Sequence, residues 1–353
     1  MAKLRLGVIG IGWWATAVHV PALRQAGAEV VAISRRDPVR LAVAQQALGV
    51  PQAYTDWREL LAQPLDGVIV STAHHAHMEP TLAALAQGLP VLVEKPLALT
   101  SSDSQRMVSA AEQAGQLLMV GYNARCLGLF RTVQQALAQG LIGQVRQVNL
   151  VFSDNYRWFW EAERVPPAMT AMLRASGVPE GLMGDGSLDQ YWRRQPEQMG
   201  GGMFADIGSH WVDLALWLGG APAVTVMALT ERAGLAVDCF VTAQARLANG
   251  VLVSLTAGAG VAGKSQRQLT VLGDQGLLTS TWSSWDMTEV QVQQKGTITA
   301  LTTQFSDLTP AAAFVQALRG GPNLAPAQQA AHAVAFTEAC YRSADSGALI
   351  HLS

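Results

Sequence analysis

Leu4-Arg-Leu-Gly-Val-Ile-Gly10-Ile-Gly12-Trp-Trp-Ala15 is the stretch on which the fold turns. A short apolar run ends in G-x-G-x-x-A and passes directly into a helical pattern. In such a turn the first glycine makes the tight bend. The second lets the backbone approach a pyrophosphate at the helix N-terminus. Gly10 and Gly12 are therefore expected to cradle a dinucleotide, with Trp13 and Trp14 beside it. A glycine-rich structural turn is the plain alternative. The position at the first strand–helix junction of an alternating series favours the nucleotide.

That series continues outward. Near-continuous apolar runs at 4–9, 29–33, 67–72, 90–94 and 117–121 read as parallel strands buried on both faces. Helical stretches at 13–26, 38–48, 56–62, 78–87 and 102–114 lie between them. Asp37-Pro38 and Thr100 with Asp103 supply start signals, and Gly49 supplies a stop. The expectation is a doubly wound parallel sheet, a Rossmann domain, over residues 1–123.

The character then changes. A helix is expected at 127–139 and a strand at 145–152, followed by an irregular stretch, 153–199, rich in Trp, Pro and Gly. From 223 onward strands and hairpins dominate. Thr242, Gln244 and Arg246 alternate with Val241, Ala243, Ala245 and Leu247, and Asn249-Gly250 and Gly273-Asp-Gln-Gly276 supply turns. A sheet with one apolar face covered by helices and one mixed open face fits 124–353, with a helix near 326–343 and a short final strand. The open face is either wet or a subunit interface, and a homodimer or homotetramer is expected through it.

Bulk properties agree. The 353 residues suggest two domains at ~150 residues each. Half are apolar and 14% are charged, enough for a large core. No apolar run reaches the ~18 residues of a membrane span, and the N-terminus lacks a signal-peptide pattern, so a cytoplasmic location is expected. Lys and Arg number 24 against 26 Asp and Glu, which gives no basic excess for nucleic acid. The three cysteines, Cys126, Cys239 and Cys340, have no metal or redox spacing.

The end of the second strand decides which dinucleotide is expected. An acid for the ribose 2′-hydroxyl is usual in NAD sites. Here the residues are Ser34-Arg35-Arg36-Asp37. A guanidinium at 35 would pair with a 2′-phosphate, with Ser34 donating a hydrogen bond, so NADP is expected and NAD stays open. The competing picture has Arg35 stacked on adenine and Asp37 reaching the ribose.

Two further segments carry chemistry. Glu94-Lys95-Pro96 follows the strand at 90–94, at the carboxyl edge where ligands bind in such sheets. Lys95 can stabilise a developing alkoxide, and Pro96, at a position suited to a cis peptide, fixes the backbone that aims it. A surface lysine at a strand end is the bland alternative. The second is Gly200-Gly-Gly-Met-Phe-Ala-Asp206-Ile-Gly-Ser-His210-Trp-Val-Asp213. Asp206, His210 and Asp213 fall at i, i+4 and i+7, one face of a helix. An imidazole between carboxylates is a proton-transfer arrangement; a solvent-facing polar stripe is the alternative. The glycines would let backbone and ligand come close.

Taken together, Gly10-Ile-Gly12, Glu94-Lys95-Pro96, Gly121-Tyr-Asn-Ala-Arg125, the 200–213 segment and Leu269-Thr-Val-Leu-Gly273-Asp-Gln-Gly276 make the sequence resemble the glucose–fructose oxidoreductase / inositol dehydrogenase / rhizopine-catabolism (Gfo/Idh/MocA) family over nearly its whole length. The resemblance implies an N-terminal Rossmann domain, a C-terminal α/β domain with a large open, mostly antiparallel sheet, and a site in the cleft between them. It implies Lys95, Asp206 and His210 as the catalytic group. Thr72, His74, His77, Glu94, Lys95 and Asn123 are expected at the cofactor, together with the glycine loop, Trp13, Trp14, Ser34, Arg35 and Arg36. Tyr122, Arg125, Trp192 and Asp213 are expected at the substrate; for Asp213, partnering His210 and making a structural hydrogen bond are equally open. Thr72-Ala73 stands where the family often has Thr-Pro.

His74, His75 and His77 lack an accompanying acidic or cysteine ligand set, so no metal is expected. His19 and His332 read as packing residues. Tyr156, Trp158, Phe159, Trp160, Tyr191 and Trp192 could stack on a sugar face or pack internally; Trp192, with Arg193 and Arg194, lies just before the glycine triplet, and these three are the best placed to border a site. The implied activity is NADP-dependent hydride transfer to or from a secondary carbinol of a sugar, cyclitol or related polyol. Alternatives are a hydrolase that uses nicotinamide transiently and a non-catalytic nucleotide sensor.

Overall fold

The computed structural model describes residues 2–183, 192–260, 265–283 and 287–352; Tyr191 lies outside the described residues. The chain divides into two compact units.

The first unit is built on β1 (Arg5–Ile9), β2 (Glu29–Ser34), β3 (Gln52–Tyr54), β4 (Gly67–Val70), β5 (Val91–Val93) and β6 (Leu118–Val120). They form one sheet in the order β3-β2-β1-β4-β5-β6, and every pairing is parallel. This is the expected doubly wound sheet, and its strand order reverses beside β1, where ligands bind in such folds. Val68, Ile69, Val70, Val91, Leu92 and Val93 are fully buried, which is why these strands read as unbroken apolar runs. The short β3 was not expected. It is an edge strand of half-exposed residues, so Gln-Ala-Tyr carries no apolar run.

The helix after β1 departs from the plain pattern expected at 13–26. Ala15–His19 forms a π-helical turn before the α-helix Val20–Gln25. Pro21 lies just beyond the π turn, where its ring would crowd a regular α-helical turn before it. The expected caps form. Asp37 accepts from the Val39 and Arg40 N–H groups, and Thr100 accepts from that of Asp103.

The first unit comprises Met1–Gly121, Glu161–Met199 and Thr309–Gln328. Its first segment ends at Gly121, and the stretches 161–199 and 309–328 pack with that segment. Pro310–Leu318 buries Ala311, Ala313, Phe314 and Val315, and Val120 N–H donates to the Ala325 carbonyl at 2.9 Å, extending the edge at β6. An apolar helix face in the sequence does not say which sheet it covers.

The second unit comprises Tyr122–Trp160, Gly200–Leu308 and Gln329–Ser353. Its strands are β7 (Val145–Ser153), β8 (Ala223–Glu231), β9 (Phe240–Leu247), β10 (Leu252–Gly258), β11 (Gln266–Gly273), β12 (Leu277–Trp282), β13 (Gln291–Gln294), β14 (Thr297–Ala300) and β15 (Ile350–His351). They form a nine-stranded sheet in the order β14-β13-β12-β11-β7-β10-β9-β8-β15. The β7–β10 pairing is parallel and the others are antiparallel. The alternation read from 241–247 is the alternation seen, buried and exposed in turn along β9. Helix Gly208–Gly219 packs on β7 and β10. The other face is open and mixed: Met227 and Leu229 of β8 stand beside Gln244 and Thr242 of β9, and all four are exposed. Among the described residues no helix is long and apolar enough to cross a membrane.

Candidate active site

The first unit presents a nucleotide cradle at the carboxyl end of β1. Gly10 and Ile11 both donate N–H to the Ser34 carbonyl at 3.0 Å, which folds the loop onto the end of β2. Gly10 has a φ of +85°, and a Cβ there would sit 2.7 Å from the Ser71 carbonyl oxygen. Only glycine fits this turn. Gly12 has nothing nearer to its missing Cβ than the Gly10 oxygen at 4.0 Å. It leaves open the space that a close-approaching pyrophosphate requires, so the loop fits a dinucleotide.

Arg35 lies over this loop and donates from Nη1 to the Ile11 carbonyl at 2.8 Å. Burial and the neighbouring Arg40 draw its guanidinium below its ordinary pKa, and Asp37 draws it back. Arg36 is exposed, and the Ser34 side chain is buried. The Asp37 carboxylate is occupied as a helix cap, held below the usual carboxylate range chiefly by the Arg40 N–H.

Glu94, expected at the cofactor, is a hub. Its Oε1 accepts from Trp14 Nε1 at 3.0 Å and lies 2.8 Å from His19 Nε2. Trp13 meets Trp14 edge to face at 5.4 Å. A Cβ at Gly121 would approach Glu94 Oε1 to 2.9 Å, so that glycine makes room for the carboxylate. Lys95 is half-buried just beyond β5 and precedes a cis peptide to Pro96.

Among the described residues no group of three or more His, Cys, Asp and Glu side chains is gathered as an ion site would need. His77 is fully buried between two carbonyls, with Nδ1 at 2.8 Å from Pro96 O and Nε2 at 3.2 Å from Thr72 O. A neutral ring has one N–H, and the shorter distance assigns it to Nδ1. Burial, aided by His74, lowers the His77 pKa to about 4. His77 thus ties the loop after β4 to the Lys95-Pro96 segment. Thr72 Oγ1 donates to the Ala76 carbonyl within the same loop. His74 Nδ1 lies 3.0 Å from Met199 O, and its ring meets Trp192 edge on at 4.4 Å. Trp192, expected at the substrate, therefore stands against a residue expected at the cofactor.

In the second unit the glycines 200–202 precede the helical part of the 200–213 segment. Helix Met203–Asp206 joins helix Gly208–Gly219 through Ile207, whose φ of −75° and ψ of −40° are helical. Asp206 and His210 are 2% and 6% exposed, so the face is no solvent stripe. Tyr122 is buried and meets the His210 ring edge on at 5.8 Å. Asn123 is half-buried and opens the short helix Asn123–Cys126.

Arg125 and Asp213, expected to touch substrate, face each other: Nε and Nη2 donate to Oδ2 and Oδ1 at 2.7 and 2.8 Å. Burial pushes the Asp213 carboxyl up and the guanidinium pulls it back. The glycine triplet does come close to something, but to protein: a Cβ at Gly201 would sit 2.5 Å from the Tyr341 ring, and one at Gly202 would overlap Asp238. Asp238 and Tyr341 carried no sequence signal as site residues; Asp238 reads as one polar position near a strand, and Tyr341 as one residue of a long helix.

Comparisons with known proteins agree with the architecture. Residues 4–122 match the model of an oxidoreductase family with an NAD-binding Rossmann fold. Residues 130–279 match the model of the GFO/IDH/MocA C-terminal domain. The 1,5-anhydro-D-fructose reductase of Ensifer adhaerens is 32% identical over 233 residues, covering 65% of this chain and 61% of that protein. The trans-1,2-dihydrobenzene-1,2-diol dehydrogenase of Oryctolagus cuniculus is 28% identical over 276 residues, 78% of this chain and 74% of that protein. A levoglucosan dehydrogenase solved with NADH and levoglucosan superposes with a TM-score of 0.80 at 20% identity, covering 99% of each chain. The glycine loop, the two sheets and both family models lead to one conclusion: the chain belongs to the Gfo/Idh/MocA oxidoreductase family.

Proposed function

We propose that the protein is an NADP-dependent oxidoreductase that moves a hydride between the nicotinamide and a secondary carbinol or ketone of a sugar, cyclitol or related polyol. The observation that carries this reading is the open cradle at Gly12 with Lys95 on the same carboxyl edge of one parallel sheet. The relatives named above act, by their names, on an anhydro sugar and a cyclic diol, which supports a polyol substrate. Preference for NADP rests on Arg35 at the loop and on Asp37 being occupied as a cap.

Bound nicotinamide supplies the hydride acceptor or donor. The protein supplies the proton handling. The Lys95 ammonium donates a hydrogen bond to the reacting oxygen and stabilises its negative charge. His210 takes the hydroxyl proton during oxidation and returns it during reduction, and Asp206, one helical turn before it, orients the imidazole. Arg125 and Asp213 hold the scaffold. Self-association through the open sheet face, measured by sedimentation, belongs to the same reading.

A panel of sugars, sugar acids and cyclitols, screened with both dinucleotides, tests it. Net change at the reduced-nicotinamide absorbance is expected, and His210→Ala should lower turnover by ~10²–10⁴ while leaving dinucleotide binding intact. Turnover without net absorbance change would indicate the hydrolase instead, and wild-type turnover in His210→Ala would remove His210 from the reaction.

A further inference from the structure

The start of a helix leaves its first N–H groups without intrahelical acceptors, and a residue such as Ser, Asp or Thr normally takes one of them. Gly202, at this position before Met203–Asp206, has no side chain to offer. The acceptors come from elsewhere in the second unit. Tyr341 Oη accepts from Gly202 N–H at 3.0 Å and from Ala205 N–H at 3.1 Å. Asp238 Oδ2 accepts from Phe204 N–H at 2.9 Å, and the Asp238 carbonyl accepts from Met203 N–H at 3.1 Å. Two residues thus take every N–H from 202 to 205.

The direction of the bond between them follows. Both phenol lone pairs are engaged by backbone N–H groups, so the phenol proton goes to Asp238 Oδ1, 2.7 Å away. Gly201 and Gly202 are glycines because these partners occupy the space a Cβ would need. The carboxylate also lies at the positive end of the helix dipole. We propose that Asp238 and Tyr341 form a remote cap that sets the position of Asp206 and His210, and so act as positioning residues for proton transfer. The clamp grips the turn that contains Asp206, and His210 lies one turn further along the same nearly continuous helix. A shift at the capped end moves both side chains. This rests on the reading of Asp206 and His210 as the proton-handling pair.

The test compares Tyr341→Phe and Asp238→Asn with the full-length wild type. Tyr341→Phe removes one oxygen and keeps the ring against Gly201, so it remains informative even where Asp238→Asn fails to fold. Two readouts are taken: NMR titration of the His210 imidazole in the free protein, and steady-state kinetics with NADP and the best substrate of the panel. The expected result is an altered His210 titration midpoint and kcat lower by about 10- to 100-fold, the scale of a displacement of up to ~1 Å, with dinucleotide affinity retained. Wild-type His210 titration in the variants, with only a lower melting temperature, overturns the proposal. Should the wild type turn over no substrate with either dinucleotide, the functional reading fails and the titration alone decides whether the clamp sets His210.

Discussion

Arg125 holds Asp213 through two parallel hydrogen bonds of 2.7 and 2.8 Å, with both side chains almost wholly buried at 2% and 0% exposure. Nη1 also donates to Gln329, and the guanidinium lies 5.0 Å from the Trp217 ring centroid. Removing one member strands a charge in the core. Asp213→Ala is expected to cost about 3–5 kcal/mol of stability. Arg125→Met with Asp213→Leu together should recover much of that, because an apolar pair strands no charge. Urea denaturation of the three variants checks this. A near-neutral Asp213→Ala would show that the pair is not the anchor of its helix.

Arg35 decides the dinucleotide under the proposed function. A charge-assisted hydrogen bond is worth roughly 1.5–3 kcal/mol, so Arg35→Ala should weaken NADP by about 10- to 100-fold and leave NAD little changed. Titration with both dinucleotides measures the ratio. Equal losses for the two would assign Arg35 to bracing the glycine loop through the Ile11 carbonyl.

Much of this was legible from local pattern. Strands buried on both faces read as apolar runs, the half-open β9 read as alternation, and Asp37 and Thr100 announced helix starts. The glycine loop after β1 was readable because its whole logic lies within a few residues. What local pattern missed is non-local. β3 has too little buried surface to show a period. The helix Pro310–Leu318 shows an apolar face but not its destination. The glycine triplet signalled a close approach, yet its partners, Asp238 and Tyr341, lie far along the chain, Tyr341 139 residues beyond Gly202. A glycine reports that space is needed and is silent about what fills it.

His77 gives a pH signature. Its pKa is lowered from 6.5 to about 4 by burial, so the unfolded chain binds more protons between those values. The stability it contributes is complete above pH 6.5 and is lost as pH falls toward 4. The full span corresponds to about 3 kcal/mol at 1.36 kcal/mol per pKa unit. His77→Gln should therefore show a flatter fall in stability between pH 6.5 and 4 than the wild type, measured as urea midpoints across that range. Parallel curves would mean that His77 is not desolvated to this degree.

Glu94 joins the glycine loop's helix to the lysine that follows it. One oxygen serves Trp14 and His19, and the other accepts from Lys95 N–H at 3.3 Å. Glu94→Ala leaves two ring N–H groups without this acceptor, and each buried orphan costs about 1–3 kcal/mol. The helical segment after the glycine loop loses the same tether, so dinucleotide affinity should fall along with stability. Glu94→Gln keeps one acceptor oxygen and is expected to lie between Glu94→Ala and wild type on both measures. Thermal melts and dinucleotide titrations on the two variants separate the effects. If Glu94→Ala melts early but binds dinucleotide as tightly as the wild type, Glu94 packs the first helix and does not set the cradle.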